Sequence, residues 1–362
     1  MPKTRVRYSI IGFGGIAENR IAKEGFACDR IRFRPLPGVE LRGAADISSR
    51  RRRSAEGLGL NWYESPEAVF ADPAVDAVFI TSNNASHFSL GKKALQSGKH
   101  VILEKPMATG LAEARKLTAL AAKQKLSLSV DHMMVHNAYN RKARELVAQG
   151  TLGKVNDICL HMEFFYGSTP EEAAAWRCAD PAELGGPIGD VGSHCLYMAE
   201  FLTGSRIQSV AAVFTPRTLR ICAENGAFIR FRMENGLVGS IRVSFNDPRG
   251  NLESTLLNLG YEIYGTQRIL RAYGTLFQLS GHRDEQVKIR LNLEGDGKVE
   301  VLRLANVRNI YQQIILEHAQ SIRSGRRLTG EDGLDNLRLV LAAYRSAEQG
   351  GKEIRIIRRR PT

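Results

Sequence analysis

Three groups of residues have types and spacings that could do chemistry. The first is Gly12-Phe13-Gly14-Gly15-Ile16-Ala17, placed directly after the apolar stretch Val6 to Ile11. In such a run the first glycine permits a tight turn and the second lets the backbone approach a pyrophosphate. A small third residue, here Ala17, lets the next helix pack against the sheet. N–H groups at the helix start then face the anion. Asp46, which ends the apolar stretch Val39 to Ala45, suits the ribose hydroxyls of a bound dinucleotide and favours NAD over NADP. Asp46 lies 32 residues beyond Gly14, where such motifs have about 20. Lys23 to Pro37 therefore reads as an extended helix end or an inserted loop. Arg50 to Arg53 follow Asp46. An arginine there could hold a 2′-phosphate, which keeps NADP possible, or the four could form a solvated helix face.

The second group is Lys105, which follows the apolar run His100 to Leu103. A lysine at the carboxyl end of a parallel strand stands where doubly wound sheets bind ligands. Its ammonium could hydrogen-bond a reacting oxygen and stabilise alkoxide charge. Taken alone it is as readily an exposed lysine after a strand. The third group is Asp190 and His194, four residues apart and so on one face of a helix. An imidazole can move a proton near neutral pH, although an isolated Asp–His pair is commonly structural.

The elements that must position these groups change character along the chain. Val6 to Ile11, Val39 to Ala45, Val75 to Thr81, His100 to Leu103 and Leu126 to Val130 read as strands. Pro66 to Asp72, Ser86 to Ser97 and Leu111 to Lys125 read as helices between them. That βαβα rhythm predicts a parallel, doubly wound sheet with helices on both faces. From about Asn137 the pattern becomes α+β. A helix at Tyr139 to Gln149 precedes a long strand at Val155 to Tyr166, and a second helix follows Gly186. Leu237, Gly239, Ile241, Val243 and Phe245 alternate with Val238, Ser240, Arg242 and Ser244, the period of a sheet with one covered face. Two helices close the chain. One carries Ile310, Tyr311, Ile314, Ile315, His318 and Ile322 and stops at Gly325; the other follows Asp332 as N-cap and carries Leu334, Leu337, Val340, Leu341 and Tyr344. The expected domains are 1–132, for the dinucleotide, and 133–362, for substrate and oligomerisation, with the last helices free to pack back on the first.

The chain has 362 residues, 43% hydrophobic and 25% charged, an ordinary globular composition that argues against global disorder. No apolar run approaches the ~20 residues of a membrane span. The basic, briefly apolar start runs into the glycine turn without a cleavage-like site, so a cytoplasmic protein with no membrane partner is expected. The formal net charge of +13 could suit a polyanion. The basic runs lack interleaved aromatics and no nucleic-acid motif is present, so no nucleic-acid partner is expected. Cys28, Cys159, Cys178, Cys195 and Cys222 are odd in number and scattered. They suggest neither zinc knuckles nor a disulfide framework, but reduced and mostly buried thiols. Nothing suggests a metal.

Taken together, these segments resemble the Gfo/Idh/MocA family of nicotinamide-dependent oxidoreductases. The likeness runs over almost the whole chain: GFGGIA at Gly12–Ala17, AAD at Ala44–Asp46, VDAVFITSNNASH at Val75–His87 and GKHVILEKP at Gly98–Pro106. It continues through Trp176–Arg177, GGPIGDVGSH at Gly185–His194, YEIYGTQ at Tyr261–Gln267 and the closing EDGLDNLRLVLAAYRSAEQG. The EKP tripeptide joined to the later DVGSH is the specific part. The resemblance implies a Rossmann domain followed by an α+β domain with an open, mostly antiparallel sheet, through which a homodimer or homotetramer would form. It implies NAD, or NADP, as cofactor and a small sugar or polyol as substrate, whose secondary alcohol and ketone are interconverted.

The resemblance also implies roles. Lys105 becomes the active-site lysine, His194 the general acid/base, and Asp190 a support for the substrate hydroxyl, for Lys105 or for both. The run Gly12, Phe13, Gly14, Gly15, Ile16 and Ala17 would hold the cofactor with Asp46. Ser82, Asn84 and His87 would line it, and Glu104 would touch it or brace the turn. His132, Trp176 and Arg177 would meet substrate, with packing or ion-pair roles open for each. Cys195, lacking an activating base, reads as a buried helix thiol. Two positions depart from the family pattern. Tyr197 stands where an aspartate is frequent and could enter the pocket, and Asn83 stands where a proline is frequent. Two other functions fit the same residues: glycoside cleavage through transient oxidation, and a non-catalytic dinucleotide sensor.

Overall fold

Six short segments form β1 (Val6–Ile11), β2 (Val39–Ala45), β3 (Asn61–Trp62), β4 (Ala77–Ile80), β5 (His100–Leu103) and β6 (Leu128–Val130). They belong to a computed structural model that describes residues 5–246, 259–274, 289–305 and 307–358. The strands are parallel and lie in the order β3-β2-β1-β4-β5-β6. Every residue of β4 is buried, as a parallel strand covered on both faces requires. Because β1 lies between β2 and β4, the strand order reverses there, and ligands of doubly wound sheets bind in the crevice beyond the carboxyl ends at that point. Helices Asn84–Gln96 and Leu111–Gln124 follow β4 and β5.

The chain divides into two compact units. One comprises the described residues of Met1–Met133 and Arg308–Leu334, the other those of Met134–Leu279, Gln286–Val307 and Asp335–Thr362. The late helix Ile310–Ser324 therefore belongs to the first unit, where it buries Ile310, Tyr311, Ile314, Ile315 and His318. The His318 Nδ1 lies 2.8 Å from the Tyr8 hydroxyl. Asn309 caps the helix by accepting from the Tyr311 and Gln312 N–H groups, and its amide donates to the buried Glu24 at 3.0 Å. Ala17–Gly25 is π-helical. Lys23 to Pro37 resolves into the end of that helix and an irregular stretch that buries Phe26, Ala27, Phe33 and Leu36. Asp332 sits in the first turn of helix Glu331–Glu348 rather than at its N-cap, where its charge still complements the helix dipole.

The second unit contains β7 (Val155–Glu163), β8 (Ile207–Phe214), β9 (Gly226–Met233), β10 (Val238–Ser244), β11 (Gly260–Gly265), β12 (Ile269–Tyr273), β13 (Arg290–Gly295), β14 (Lys298–Val301) and β15 (Ile354–Arg355). Their order is β14-β13-β12-β11-β7-β10-β9-β8-β15. The β7–β10 pair is parallel and the other pairs are antiparallel. The continuous β7 ladder stops at Glu163, short of Tyr166, and among the described residues an isolated bridge between Phe165 and Asn246 follows it. The alternation in β10 holds through Gly239, Ile241 and Val243, which are buried, and Ser240, which is exposed. Ser244 departs from it and is buried, its hydroxyl bonded to Asn246 at 2.5 Å.

The single helix expected after Gly186 is two elements, a π-helical turn Ile188–Gly192 and an α-helix Ser193–Thr203. Of the cysteines, Cys178 and Cys195 are buried, Cys28 and Cys159 half-buried and Cys222 exposed, so burial is less general than expected. Among the described residues, no helix is long and apolar enough to cross a membrane.

Candidate active site

In the first unit the glycine turn sits at the strand-order reversal. Gly12 has φ +90°, and a Cβ there would lie 2.6 Å from the Ser82 backbone nitrogen, so only glycine fits. The Gly12 N–H donates to the Ala45 carbonyl at 2.8 Å, and the Thr81 hydroxyl donates to the Gly12 carbonyl at 2.5 Å. Asp46 is held by two backbone donors, the Phe13 N–H at 2.6 Å and the Ser48 N–H at 2.8 Å. Each of its oxygens keeps capacity to accept again. A Cβ at Gly14 or Gly15 would meet no heavy atom within 4 Å. This open backbone at a helix start, beside a fixed carboxylate, fits a dinucleotide pyrophosphate and ribose. Ala17 and the Phe13 side chain are buried beneath the turn, and Ile16 is 43% exposed at its rim.

Beyond β4, Ser82 accepts a hydrogen bond from the Ser86 hydroxyl at 2.6 Å, and Asn84 is buried at the start of its helix. His87 is fully buried, with Nδ1 2.7 Å from the Pro106 carbonyl and Nε2 3.1 Å from the Ser82 carbonyl. It braces the loop after β4 against the segment after β5. Glu104 accepts from the Lys105 N–H at 2.9 Å, so this carboxylate braces the turn that presents the lysine.

A further acid lies near Lys105. Asp131, at the carboxyl end of β6, is fully buried. Burial and then the Glu104 carboxylate push its carboxyl well above the usual range, against the pull of Lys105 and the Met133 N–H. Burial lowers the pKa of the neighbouring His132. The Asp332 carboxylate opposes that shift and Lys105 adds to it. Asp131 was missed in the sequence, although its place at a strand's carboxyl end was a usable signal.

In the second unit Arg177 Nε pairs with Asp190 at 2.9 Å. The guanidinium also lies 4.9 Å from the Trp176 ring centroid and 5.5 Å from that of Tyr166. Asp190 is the main cause of the raised Arg177 pKa. Asp190 stands in the π-helical turn and His194 in the first turn of the α-helix, so their four-residue spacing spans a junction between helix types. The His194 Nδ1 lies 3.0 Å from the Tyr197 hydroxyl, and both side chains are buried. The Tyr197 hydroxyl is thus engaged with the imidazole. Cys195 is fully buried, and burial followed by Glu163 pushes its thiol far above the usual range, as expected of an inert thiol.

Comparison with known proteins gives a consistent picture. Residues 6–132 match the model of an oxidoreductase family with an NAD-binding Rossmann fold, and residues 140–271 match a GFO/IDH/MocA C-terminal domain. A 1,5-anhydro-D-fructose reductase of Ensifer adhaerens is 26% identical over 290 residues, which cover 79% of this chain and 81% of that one. A scyllo-inositol 2-dehydrogenase (NAD(+)) of Bacillus subtilis (strain 168) is 24% identical over 359 residues, 96% of this chain and 95% of its own. An aldose-aldose oxidoreductase from Caulobacter crescentus, solved with glycerol, has the same fold. Its TM-score is 0.82 at 23% identity, covering 97% of this chain and 99% of that one.

Proposed function

Because the chain belongs to the Gfo/Idh/MocA oxidoreductase family and is an NAD(P)-dependent dehydrogenase or reductase acting on CH–OH groups, we propose that it interconverts a secondary alcohol and a ketone on a sugar or polyol. The observation that carries this reading is the position of Lys105, directly beyond β5 and one strand from the β1/β4 reversal. Dinucleotide recognition falls in 1–132, through the run Gly12–Ala17 with Asp46, and substrate recognition falls in 133–362. The open sheet of the second domain would carry a homodimer or homotetramer. NAD is favoured over NADP. Asp46 stands ready for a ribose diol, and two of the four following arginines are engaged elsewhere, Arg51 with Glu18 at 3.7 Å and Arg52 with Glu56 at 2.8 Å.

When bound, the nicotinamide supplies or accepts the hydride. Lys105 donates a hydrogen bond to the reacting oxygen and stabilises its developing negative charge. His194 takes the hydroxyl proton in oxidation and returns it in reduction through Nε2, with Nδ1 engaged by Tyr197. Asp190 orients the Arg177 fork, which with Trp176 and His132 meets the substrate hydroxyls. The test is dinucleotide-linked turnover on a panel of aldoses, inositols and anhydro sugars, with Lys105→Ala and His194→Ala alongside the parent protein. Each substitution should remove orders of magnitude of turnover while dinucleotide affinity is retained. Undiminished turnover in both would refute the assignment.

A further inference from the structure

Glu224 is a carboxylate only 8% exposed that none of the steps above uses. One of its oxygens accepts from the Ile188 N–H at 2.8 Å and from the Tyr344 hydroxyl at 3.0 Å. The Tyr344 oxygen in turn accepts from the Gly189 N–H at 3.2 Å. Two successive N–H groups at the start of the turn Ile188–Gly192 are therefore satisfied by two side chains distant in sequence. Those groups have no partner within a helix. The fit is tight. A Cβ at Gly186 would lie 2.1 Å from the second Glu224 oxygen, and one at Gly189 would lie 1.8 Å from the Leu184 carbonyl oxygen.

The segment that carries Glu224 also holds the other half of the Arg177–Asp190 pair. The Cys222 and Ala223 N–H groups both donate to the Cys178 carbonyl at 3.0 Å, within the short helix Trp176–Ala179 that bears Arg177. Gly185 permits the same closeness, since a Cβ there would stand 2.5 Å from the Arg177 Cα. Residues 222–224 thus grip the Arg177 helix through backbone and the Asp190 turn through a side chain. Sequestering a carboxylate is costly unless it is well bonded. Here it is spent on a backbone turn and not on a surface ion pair.

We infer that Glu224 and Tyr344 form a latch that sets the position of Asp190 against Arg177, which makes both of them positioning residues for the reaction. This rests on the role given to Asp190 above. Neither side chain touches substrate or cofactor in this scheme. Their action passes through the π-helical turn, whose N–H groups they hold.

The test is a mutant cycle on the full chain, using the best substrate from the sugar and polyol panel. Tyr344→Phe and Glu224→Gln are near-isosteric. Each should lower kcat about tenfold, the loss expected for one charge-assisted hydrogen bond. KM should rise with it, because Arg177 meets the substrate hydroxyls, while dinucleotide Kd should stay within about twofold of the parent value. Asp190→Asn should lower kcat as well, and adding Tyr344→Phe to it should cost nothing more, because the latch acts through the missing group. Losses that multiply in the double variant would mean a general structural role and overturn the latch. So would an unchanged kcat in Tyr344→Phe and Glu224→Gln beside a crippled Asp190→Asn. Full turnover in Asp190→Asn would instead overturn the role given to Asp190, and the latch with it. Should Glu224→Gln fail to fold, Tyr344→Phe carries the test alone.

Discussion

Acidification from pH 7 to pH 5 should cost the first unit about 2 kcal/mol through one imidazole, that of His318. Its ring is fully buried, with Nδ1 2.8 Å from the Tyr8 hydroxyl, Nε2 3.4 Å from the Ser127 carbonyl and the His100 ring edge-on at 6.4 Å. Burial, with the neighbouring His100 charge as a further cause, pushes its pKa down from 6.5 to about 3. Between those values the unfolded chain binds a proton that the folded chain refuses. The stabilisation is therefore complete above the unfolded value, is lost as pH falls, and levels off near pH 3. The slope approaches about 1.4 kcal/mol per pH unit. Rounding near 6.5 leaves about 2 kcal/mol between pH 7 and pH 5, out of about 5 kcal/mol over the whole window. The two tryptophans, Trp62 and Trp176, lie in different units. In a Trp176→Phe background, urea unfolding followed by Trp62 fluorescence reports on the first unit. The stability gap between that protein and its His318→Gln derivative should shrink by about 2 kcal/mol on acidification. A gap equal at both pH values would show that the ring takes up its proton while folded, and the reasoning would fail.

Two further predictions concern the site. Gly12→Ala must force φ +90° on a residue with a side chain and push its Cβ against Ser82, a strain of about 1–3 kcal/mol. Dinucleotide titration should show affinity reduced tenfold or more with the far-ultraviolet circular dichroism intact, and unchanged affinity would contradict the role of the turn. Tyr197→Phe removes the hydroxyl 3.0 Å from the His194 Nδ1 and should lower kcat severalfold with dinucleotide affinity unchanged. Unaltered pH–rate curves and kcat would show that the hydroxyl does not support the imidazole.

The first sheet was legible because its strands are short apolar runs between turns. β1, β2 and β5 occupy the stretches read from the sequence, and the glycine turn follows β1 as its spacing demanded. The π-helical stretches Ala17–Gly25 and Ile188–Gly192 were not legible. One extra residue per turn hardly alters an apolar pattern, so the segment after Gly186 read as one helix. The end of β7 at Glu163 depended on where the neighbouring strands stop pairing, which no local pattern records. In the site, individual residues could be named but not all of their partners. Asp46 bonds to Phe13 and Ser48, Asp190 to Arg177, and Tyr197 to His194. The Glu224–Tyr344 contact spans 120 positions, a distance over which neither periodicity nor spacing carries information.

The Tyr8–His318 contact joins positions 310 residues apart within one unit. A ribosome making this chain releases β1 first, yet the helix that seals that strand is among the last segments to emerge. A fragment ending at Asp131 would lack His318 and leave the face of Tyr8 that meets it wet, and it should aggregate or recruit chaperones instead of binding nucleotide. Because the first unit takes its last segment from Arg308–Leu334, it cannot close until most of the second has been synthesised, and a premature stop codon before Arg308 should abolish the first unit along with the second.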